Sequence, residues 1–477
     1  MARENLSVRS LDGSEVALDL TALTPVTDEK RRMRPGDDGY EEATRIWNGL
    51  IHHQPALVIQ PETTAEVASA VDLAREHQLL FSIKGGGHNI AGLALADHGL
   101  TLDMSRMREV RVDPENSLVR VGPGCLLGDV DRAAQHQGMA TTLGFVSETG
   151  VAGLTLGGGF GYLTRRFGYT VDDLVEIEIV TADGRVRRAS GETEPDLFWA
   201  VRGGGGNFGV VTEFVFELHE VGPEIMGGLI AWPAEDHAED VLGLYKDMTA
   251  RAPRELTLVT TMRLAPAAPF IPEAWRGKPI VAIVACHTGD PAQAASDLAP
   301  IKAFGKPIAD LVVPKGYVEQ QSMLDATQPK GANYYWKTEF MPGLSDEYLD
   351  VFRASAESIE SAMSQVIIFH IEGAINERDE NDGAVGNRDA RFVTGAAGAW
   401  PATDPGGDLH RAWARSSWEA IRPFSTGGNY INFQTADDDV SRIEDSYRGN
   451  YERLRRIKGE YDPGNLFRVN RNVEPLA

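Results

Sequence analysis

The first half of the chain carries three clusters of glycine, and a histidine stands at the end of the first one. The clusters occupy residues 84–89, 150–168 and 202–218, and the histidine is His88. Glycine lets the backbone approach a ligand closely, and successive backbone N–H groups form a nest that binds an anion. One such cluster is explained by tight turns. Three together point to a binding site, and we expect the stretch at residues 84–89 to line the pyrophosphate of a dinucleotide.

The clusters do not fit the two commonest phosphate-binding motifs. None matches GxxxxGK[ST], so a P-loop is excluded. None is a GxGxxG between a strand and a helix with an acidic residue about twenty positions further on, so the ordinary dinucleotide fold is disfavoured.

Short strands and a helix must position the first cluster. Apolar runs at residues 80–84 and 100–104 predict buried strands on both sides, which puts the glycines in the turn between them. A capping box at residues 63–66 opens a helix with one apolar face. At this stage His88 has two interpretations, a buried structural histidine, which its residue type favours, or a ligand-binding group.

Beyond Gly222 the pattern changes to longer strands that alternate with amphipathic helices. Such helices can cover one face of an antiparallel sheet and leave the other face free to border a ligand. Because a single core stops growing at roughly 250–300 residues, a chain of 477 residues predicts two lobes. The expected fold class is α+β. The predicted strands lie at residues 255–264, 279–287, 334–341, 365–375 and 391–400.

Charge and cysteine content exclude several classes of protein. With 46 basic and 70 acidic residues the net charge is −24, which repels phosphate backbones and anionic membranes. Cys125 and Cys286 are too few and too far apart for a disulfide framework or a zinc site, so we expect reduced thiols, no metal site and a cytoplasmic location. No apolar stretch approaches the roughly 18 residues of a membrane span, and the opening residues lack a signal-peptide core.

Four segments of the chain together resemble one family of flavoproteins. The family is the berberine-bridge-enzyme-like branch of the vanillyl-alcohol-oxidase superfamily, whose members carry a PCMH-type FAD-binding domain. The similarity runs in order through most of the chain, and it implies FAD as the cofactor. The segments are residues 55–105, 150–174, 194–214 and 461–475.

The resemblance also implies a division of the chain. It predicts a two-lobed α+β fold, in which a PCMH-type FAD-binding domain is joined to a substrate domain with a helix-covered antiparallel sheet. The expected parts are an N-terminal arm (1–45), the FAD-binding domain (46–220), the substrate-binding domain (221–435) and a C-terminal segment that returns to the FAD-binding domain (436–477).

In this family the histidine of the GGH loop is bonded to the 8α-methyl group of the flavin, and His88 is the matching residue. Many members add a second bond from a cysteine, but Val146 takes that position here, within residues 144–150. Cys125 lies in an earlier loop that does not match. The resemblance therefore implies one covalent link at His88, no cysteinyl link, and structural roles for both cysteines.

Further cofactor contacts follow from the glycine loops and the resemblance. The first loop is expected near the pyrophosphate, Thr149 and Gly150 near the flavin ring, and Val210 and Val211 near the adenine half. Besides His88, the predicted FAD-binding residues are Lys84, Gly85, Gly86, Gly87, Asn89, Thr149, Gly150, Gly153, Gly157, Gly158, Gly159, Val210, Val211, Asn432 and Asn470.

Three residues are candidates for the general base. Oxidation at a C–OH or C–NH carbon needs a base within about 2.6–3.2 Å of the proton, or one water away. Tyr430 lies in residues 428–432, which resemble a segment that borders the flavin, although an edge strand and turn is the alternative. His370 and Glu372 stand two apart in a predicted strand, so they share a face, and we expect that face to border the cavity.

The strand around His370 also bears on the substrate. In an amine-oxidising member of the family the matching positions hold a lysine and two carboxylates that bind the substrate. Here these positions are Ile368, His370 and Glu372, so only the last carboxylate is kept. The identity of that enzyme's substrate therefore does not carry over to this chain. A neighbouring strand adds further candidates, with a solvent-exposed face as the alternative: Tyr334, Lys337 and Glu339.

The function predicted is that of an FAD-dependent oxidase. It would transfer a hydride from a small-molecule alcohol or amine carbon, expected to be aromatic or alkaloid-like, to covalently bound flavin, with reoxidation by O2 to H2O2. By resemblance, Thr149 lies near the position where a bulkier side chain blocks O2 in relatives, and it is small enough to leave access, which favours an oxidase. The alternatives are a flavin dehydrogenase or oxidative-cyclisation enzyme with another acceptor and, in a different class, a non-catalytic FAD-binding protein.

Overall fold

The computed structural model describes residues 5–19 and 29–476, so part of the predicted N-terminal arm lies outside the described residues. Where it is described, the arm contains short strands and one helix. Its first hairpin is joined to the following lobe by hydrogen bonds from Arg9 N to His98 O and from Leu80 N to Arg9 O, both 2.8 Å long. Its elements are β1 (Asn5–Arg9), β2 (Glu15–Asp19), β3 (Arg32–Met33) and α1 (Tyr40–Thr44).

A four-stranded sheet positions the first glycine loop. The helix predicted from the capping box is confirmed, because the side chain of Thr63 accepts a 3.3 Å hydrogen bond from Glu66 N and the apolar face is buried. The sheet order is β3, β4, β6, β5, with the last three strands parallel, and the loop follows β5. The new elements are β4 (Leu57–Ile59), α2 (Thr64–Glu76), β5 (Phe81–Lys84) and β6 (Leu100–Asp103).

A five-stranded antiparallel sheet completes the first lobe, in the order β11, β10, β12, β8, β7. The hairpin of β7 and β8 pairs Asp113 with Leu118, and a short pair, β9 with β13, lies beside the sheet. The elements are β7 (Val110–Asp113), β8 (Leu118–Val121), α3 (Leu127–Gln135), β9 (Met139–Ala140), α4 (Val151–Leu156), α5 (Thr164–Phe167), β10 (Leu174–Val180), β11 (Val186–Ser190), α6 (Pro195–Val201), β12 (Val210–Glu217) and β13 (His219–Glu220).

The second lobe is an antiparallel sheet in the order β17, β14, β16, β15, β20, β21, β19, with β18 also paired to β14. Helices α7, α10 and α11 pack on one face, as the amphipathic segments predicted. The elements are β14 (Glu224–Pro233), α7 (Ala234–Thr249), β15 (Leu256–Leu264), β16 (Pro279–His287), α8 (Pro291–Ala303), β17 (Ala309–Asp310), β18 (Val313–Gly316), α9 (Tyr317–Gln321), β19 (Asn333–Met341), α10 (Asp346–Glu357), β20 (Gln365–His370), β21 (Phe392–Trp400) and α11 (Gly407–Ile421).

The last part of the chain comes back to the first lobe through α12 (Val440–Tyr447) and α13 (Tyr451–Tyr461). Buried Lys458 donates hydrogen bonds to Asn207 O and Phe467 O and pairs with Asp462 at 2.6 Å, which ties α13 to the third glycine cluster and to the tail. The α+β, two-lobed architecture is therefore confirmed. Within the described ranges, no helix is long and apolar enough to cross a membrane.

Candidate active site

A cavity of about 370 Å³ is lined by residues of both lobes. The glycine loops and the tail contribute one side of its wall. The sheet of the second lobe contributes the other side, through the face that the helices leave uncovered. Alternate residues of β15, β16 and β20 point into the cavity, while the residues between them pack under the helices. The free sheet face expected from the sequence thus borders this cavity.

The first and second glycine clusters touch at Gly86 and Gly150. A Cβ atom added to Gly86 would stand 2.6 Å from both the Cα and the N atom of Gly150, and one added to Gly150 would stand 2.4 Å from Gly86 N. The obstructing atoms are backbone and cannot rotate away. Gly87 also has φ of 69°, in the left-handed region that favours glycine. Only glycine lets the two loops meet and expose their main chain to the cavity.

His88 lines the cavity with its ring stacked on Trp47, at a centroid distance of 4.4 Å and an interplanar angle of 16°. Trp47 also stacks on Tyr334 at 3.6 Å, and its indole N–H donates to Gln328 O at 3.1 Å. Burial lowers the pKa of His88 to about 4, so the imidazole is neutral at physiological pH. The sequence patterns did not single out Trp47, which lies between predicted elements without a motif around it.

Most of the predicted FAD-binding residues line this one cavity. Lys84 does not, since it is buried beside Asp103 with Nζ 3.3 Å from the carboxylate, and Gly158 and Gly159 lie behind the wall. The predicted residues on the wall are Gly85, Gly86, Gly87, His88, Asn89, Thr149, Gly150, Gly153, Gly157, Val210, Val211, Asn432 and Asn470. Lining residues that were not predicted include Pro123, Gly205, Gly206, Gly209 and Arg471.

Tyr430 also lines the cavity, and two N–H groups point at its hydroxyl oxygen. Gly159 N donates at 3.0 Å and Asn432 Nδ2 at 2.8 Å. This contact explains the position of Gly159, with φ of 77°, behind the wall. Burial raises the pKa of Tyr430, while the two hydrogen bonds lower it by favouring the phenolate. Because the oxygen accepts both bonds, its own proton is free to interact with a group in the cavity.

The predicted cavity position of His370 and Glu372 is wrong. The cavity face of β20 consists of Gln365, Ile367 and Phe369, so alternation turns His370 towards the helices. Its ring stacks on Phe392 at 5.1 Å. Glu372 lies beyond the end of β20 and binds Arg391 at 2.8 Å.

The pKa values of this pair follow from its surroundings. Burial lowers the pKa of His370 to about 4. The nearby imidazole of His370, followed by the contacts with Arg391, lowers the pKa of Glu372 to about 2. The two side chains lie near each other, as their spacing in the sequence predicted, with His370 Nε2 3.6 Å from the Glu372 carboxylate. The spacing does not determine which face of the strand meets the cavity.

The three further candidates on β19 also lie outside the predicted catalytic position. Lys337 pairs with Asp437 and Asp438 at 3.1 and 2.9 Å, and Glu339 pairs with Arg442 at 2.7 Å. Both are buried in an ion-pair network away from the cavity, so neither the catalytic nor the solvent-exposed interpretation applies. Tyr334 lies in the stack with Trp47 and so supports the residue next to His88.

Aromatic side chains form the wall around Tyr430. Phe160 and Phe433 meet its ring edge to face at centroid distances of 4.8 and 4.9 Å. Phe369 and Trp336 extend this wall on the side of the second lobe. A flat apolar group fits such a surface, since aromatic rings prefer offset or edge-to-face contacts with one another.

Two family models match parts of the chain. One is described as an FAD binding domain and matches residues 55–190, which contain the first glycine loop and His88. The other is described as berberine and berberine like and matches residues 429–474, which contain Tyr430 and the tail. The two matches therefore include the wall residues of the first two glycine clusters and Tyr430, while the third cluster lies between them.

Comparisons over nearly the whole length agree with the family models. The chain is 28% identical over 461 residues to (R)-6-hydroxynicotine oxidase of Paenarthrobacter nicotinovorans, covering 95% of this chain and 98% of that protein. It is 28% identical over 449 residues to an FAD-linked oxidoreductase of Dictyostelium discoideum, covering 93% and 94%. The crystal structure of 6-hydroxy-D-nicotine oxidase from Arthrobacter nicotinovorans superposes with a TM-score of 0.82 at 26% identity, covering 95% of this chain and 99% of that one.

Fold and site together define an FAD-linked oxidoreductase. The matches to the FAD binding domain and to the berberine and berberine like model agree with the family resemblance of the sequence segments, and the similarity to FAD-linked oxidoreductases runs through nearly the whole chain. The residues present fit FAD. The touching loops at Gly86 and Gly150 leave a backbone cradle, and the described residues that line the cavity include no aspartate or glutamate that would repel a pyrophosphate.

Proposed function

We propose that the chain is an oxidase that holds FAD covalently through His88 and oxidises the alcohol or amine carbon of a small aromatic molecule. The observation that carries this proposal is the presence of His88 and Tyr430 on the wall of one cavity. When bound, FAD would supply an acceptor for the hydride that leaves the substrate carbon. The two electrons would then pass, with two protons, to O2 and give H2O2.

His88 is suited to anchor the cofactor. Its imidazole is neutral at physiological pH, so a ring nitrogen has a lone pair that can bond to carbon. The stack on Trp47 restricts rotation of the ring. By resemblance, the bond would be made to the 8α-methyl carbon of the flavin. That carbon and the imidazole nitrogen would each lose a hydrogen, and the two electrons and two protons released would pass through the flavin to O2 as H2O2.

A single covalent link is proposed because neither cysteine meets the cavity. Val146 lines the wall where relatives carry the second attachment residue. Cys125 is buried and its thiol donates to Glu109 O at 3.4 Å, and Cys286 is buried in β16. Burial raises the pKa of each thiol to about 12, which leaves both unreactive.

Tyr430 is the proposed general base. It would take the proton from the substrate hydroxyl or amine as the hydride leaves the attached carbon. Gly159 N–H and the Asn432 amide act as positioning groups, since they fix the phenolic oxygen and stabilise the charge that forms on it. The aromatic wall formed by Phe160, Phe433 and their neighbours supports an aromatic substrate.

A peroxide-coupled screen of aromatic alcohols and amines tests this function. We expect one H2O2 per substrate molecule oxidised, with the purified protein carrying yellow flavin after acid precipitation. A substrate-reduced enzyme that stays reduced in air would contradict the oxidase and would favour a dehydrogenase that uses another acceptor.

A further inference from the structure

Arg263 lies on the cavity face of β15 without a carboxylate partner among the described residues. Its Nη2 donates to Ala362 O at 2.7 Å. Its Nε is shielded from solvent and has no hydrogen-bond partner. The side chain as a whole is only partly buried, and no described carboxylate neutralises it, so its charge is available to an anionic ligand in the cavity.

The residue directly opposite Arg263 adds a second donor. Gln365 on β20 is its cross-strand partner, and both side chains line the cavity. The hydroxyl of Thr261, two residues before Arg263 and on the same face, lies 2.9 Å from both Gln365 Oε1 and Val366 O, so its one proton is shared between two acceptors. Within the described residues no acceptor is bound to the NH2 group of Gln365, so this group is available to bind a ligand.

The electrostatic setting favours an anion at this place. The protein has a net charge of −24, yet no aspartate or glutamate occurs among the described residues that line the cavity. Burial lowers the pKa of Arg263 to about 10, which still leaves it charged at neutral pH. A planar guanidinium beside an amide NH2 matches the two oxygens of a carboxylate.

An anion bound at Arg263 would lie away from the reacting carbon, because Arg263 and the aromatic wall near Tyr430 are at different positions along the sheet. Val259, four residues before Arg263 on the same cavity face, pairs with Phe369 in the aromatic wall near Tyr430. Four residues of strand span about 13 Å. The wall near Arg263 is formed by apolar residues instead, namely Pro266, Phe270, Ile271 and Ile280.

We infer that Arg263 and Gln365 form a carboxylate subsite, and that the substrate is an aromatic acid whose carboxylate lies roughly 10 Å from the oxidised carbon. This inference rests on the proposed function, because it assigns the substrate class of the same cavity. It separates such a substrate from α-amino and α-hydroxy acids, in which the carboxylate is attached to the reacting carbon.

Calorimetry on the FAD-loaded protein tests the subsite without turnover, with 2-naphthoate and its neutral analogue 2-naphthamide as probes. We expect naphthoate to bind about 10- to 100-fold more tightly, as a charge-assisted hydrogen-bonded pair provides. Arg263→Gln should abolish this preference. Arg276→Gln, which removes an exposed arginine that does not line the cavity, should retain it.

Equal binding of the two probes to the wild-type protein would overturn the inference, and so would a preference that survives in Arg263→Gln. If Arg263→Gln fails to fold, Arg263→Lys takes its place. We expect it to weaken the preference, because an ammonium cannot form the parallel pair of hydrogen bonds, and an unchanged preference would contradict the subsite. Absence of peroxide or of covalent flavin would instead contradict the proposed function. The calorimetry depends on neither result, so the two failures can be told apart.

Discussion

The ring of His88 lies 4.4 Å from the indole of Trp47, with the two planes within 16° of parallel. Trp47 is held in turn by the ring of Tyr334 and by the carbonyl of Gln328. Tyr334 belongs to β19, so the second lobe helps to orient a residue of the first. The orientation of the proposed attachment residue therefore depends on contacts from both lobes.

Replacing Trp47 tests whether this stack orients His88. We expect Trp47→Ala to lower the fraction of flavin that remains bound to the denatured polypeptide, and to cost about 3–5 kcal/mol of unfolding free energy through the cavity it leaves. Trp47→Phe keeps an aromatic ring and should retain most of the covalent flavin. If folded Trp47→Ala carries as much covalent flavin as the wild-type protein, the stack has no orienting role.

A methyl group at Gly86 tests the contact between the glycine loops. Gly86→Ala must displace the backbone of Gly150, and overpacking of this kind costs about 1–3 kcal/mol. We expect a lower melting temperature and a lower FAD content. Gly243→Ala in α7 is the matched control, because its new Cβ meets no atom within 4 Å, and it should raise stability by up to about 1 kcal/mol. Normal FAD content in Gly86→Ala would disprove the cradle.

Removal of the Tyr430 hydroxyl tests the general base. We expect Tyr430→Phe to lower kcat by about 10²- to 10⁴-fold while FAD stays bound. Tyr317→Phe removes a buried hydroxyl that has no hydrogen-bond partner and lies away from the cavity, so it should leave kcat unchanged. Unchanged turnover in Tyr430→Phe would exclude Tyr430 as the base.

The pH dependence of kcat/KM is a second test of Tyr430 as the general base. Burial raises the pKa of Tyr430, so the hydroxyl is protonated at neutral pH. Below that pKa the deprotonated fraction grows about tenfold per pH unit. We therefore expect kcat/KM to rise from neutral to alkaline pH in the wild-type enzyme and this rise to be absent in Tyr430→Phe. The same rise in both proteins would assign it to another group.

Glu372 is expected to affect stability and not turnover. Its folded-state pKa lies near 2, below the ordinary 4.5, so its contribution to stability is present above pH 4.5 and is lost as the pH falls towards 2. Glu372→Gln should unfold more easily at pH 7, by about 1 kcal/mol or less because the side chain is partly exposed, and the difference should vanish near pH 2. A large fall in kcat at neutral pH would restore Glu372 as a catalytic candidate.

Local sequence patterns predicted the helices and strands well, but not which face of each strand borders the cavity. The capping box at Thr63 marked the start of α2, and apolar runs marked β15, β16 and β20, because these signals depend on neighbouring residues. The face of β20 that meets the cavity depends on where the helices pack, which is a long-range property. His370 was therefore expected on the wrong side.

The same limit applies to residues whose role depends on contacts across the fold. Trp47 meets His88 from outside any motif, and Arg263 is distinctive only because none of the described carboxylates pairs with it. Gly159 was expected to touch the cofactor, whereas its N–H binds Tyr430, 271 residues later in the chain. Spacing alone could not reveal that contact.

The intact mass of the denatured protein tests the central claim most directly. The wild-type chain should carry the mass of one FAD after acid precipitation, and His88→Ala should show the mass of the bare polypeptide and release its flavin to the supernatant. Flavin that stays attached to His88→Ala, or a wild-type chain without added mass, would contradict attachment at His88.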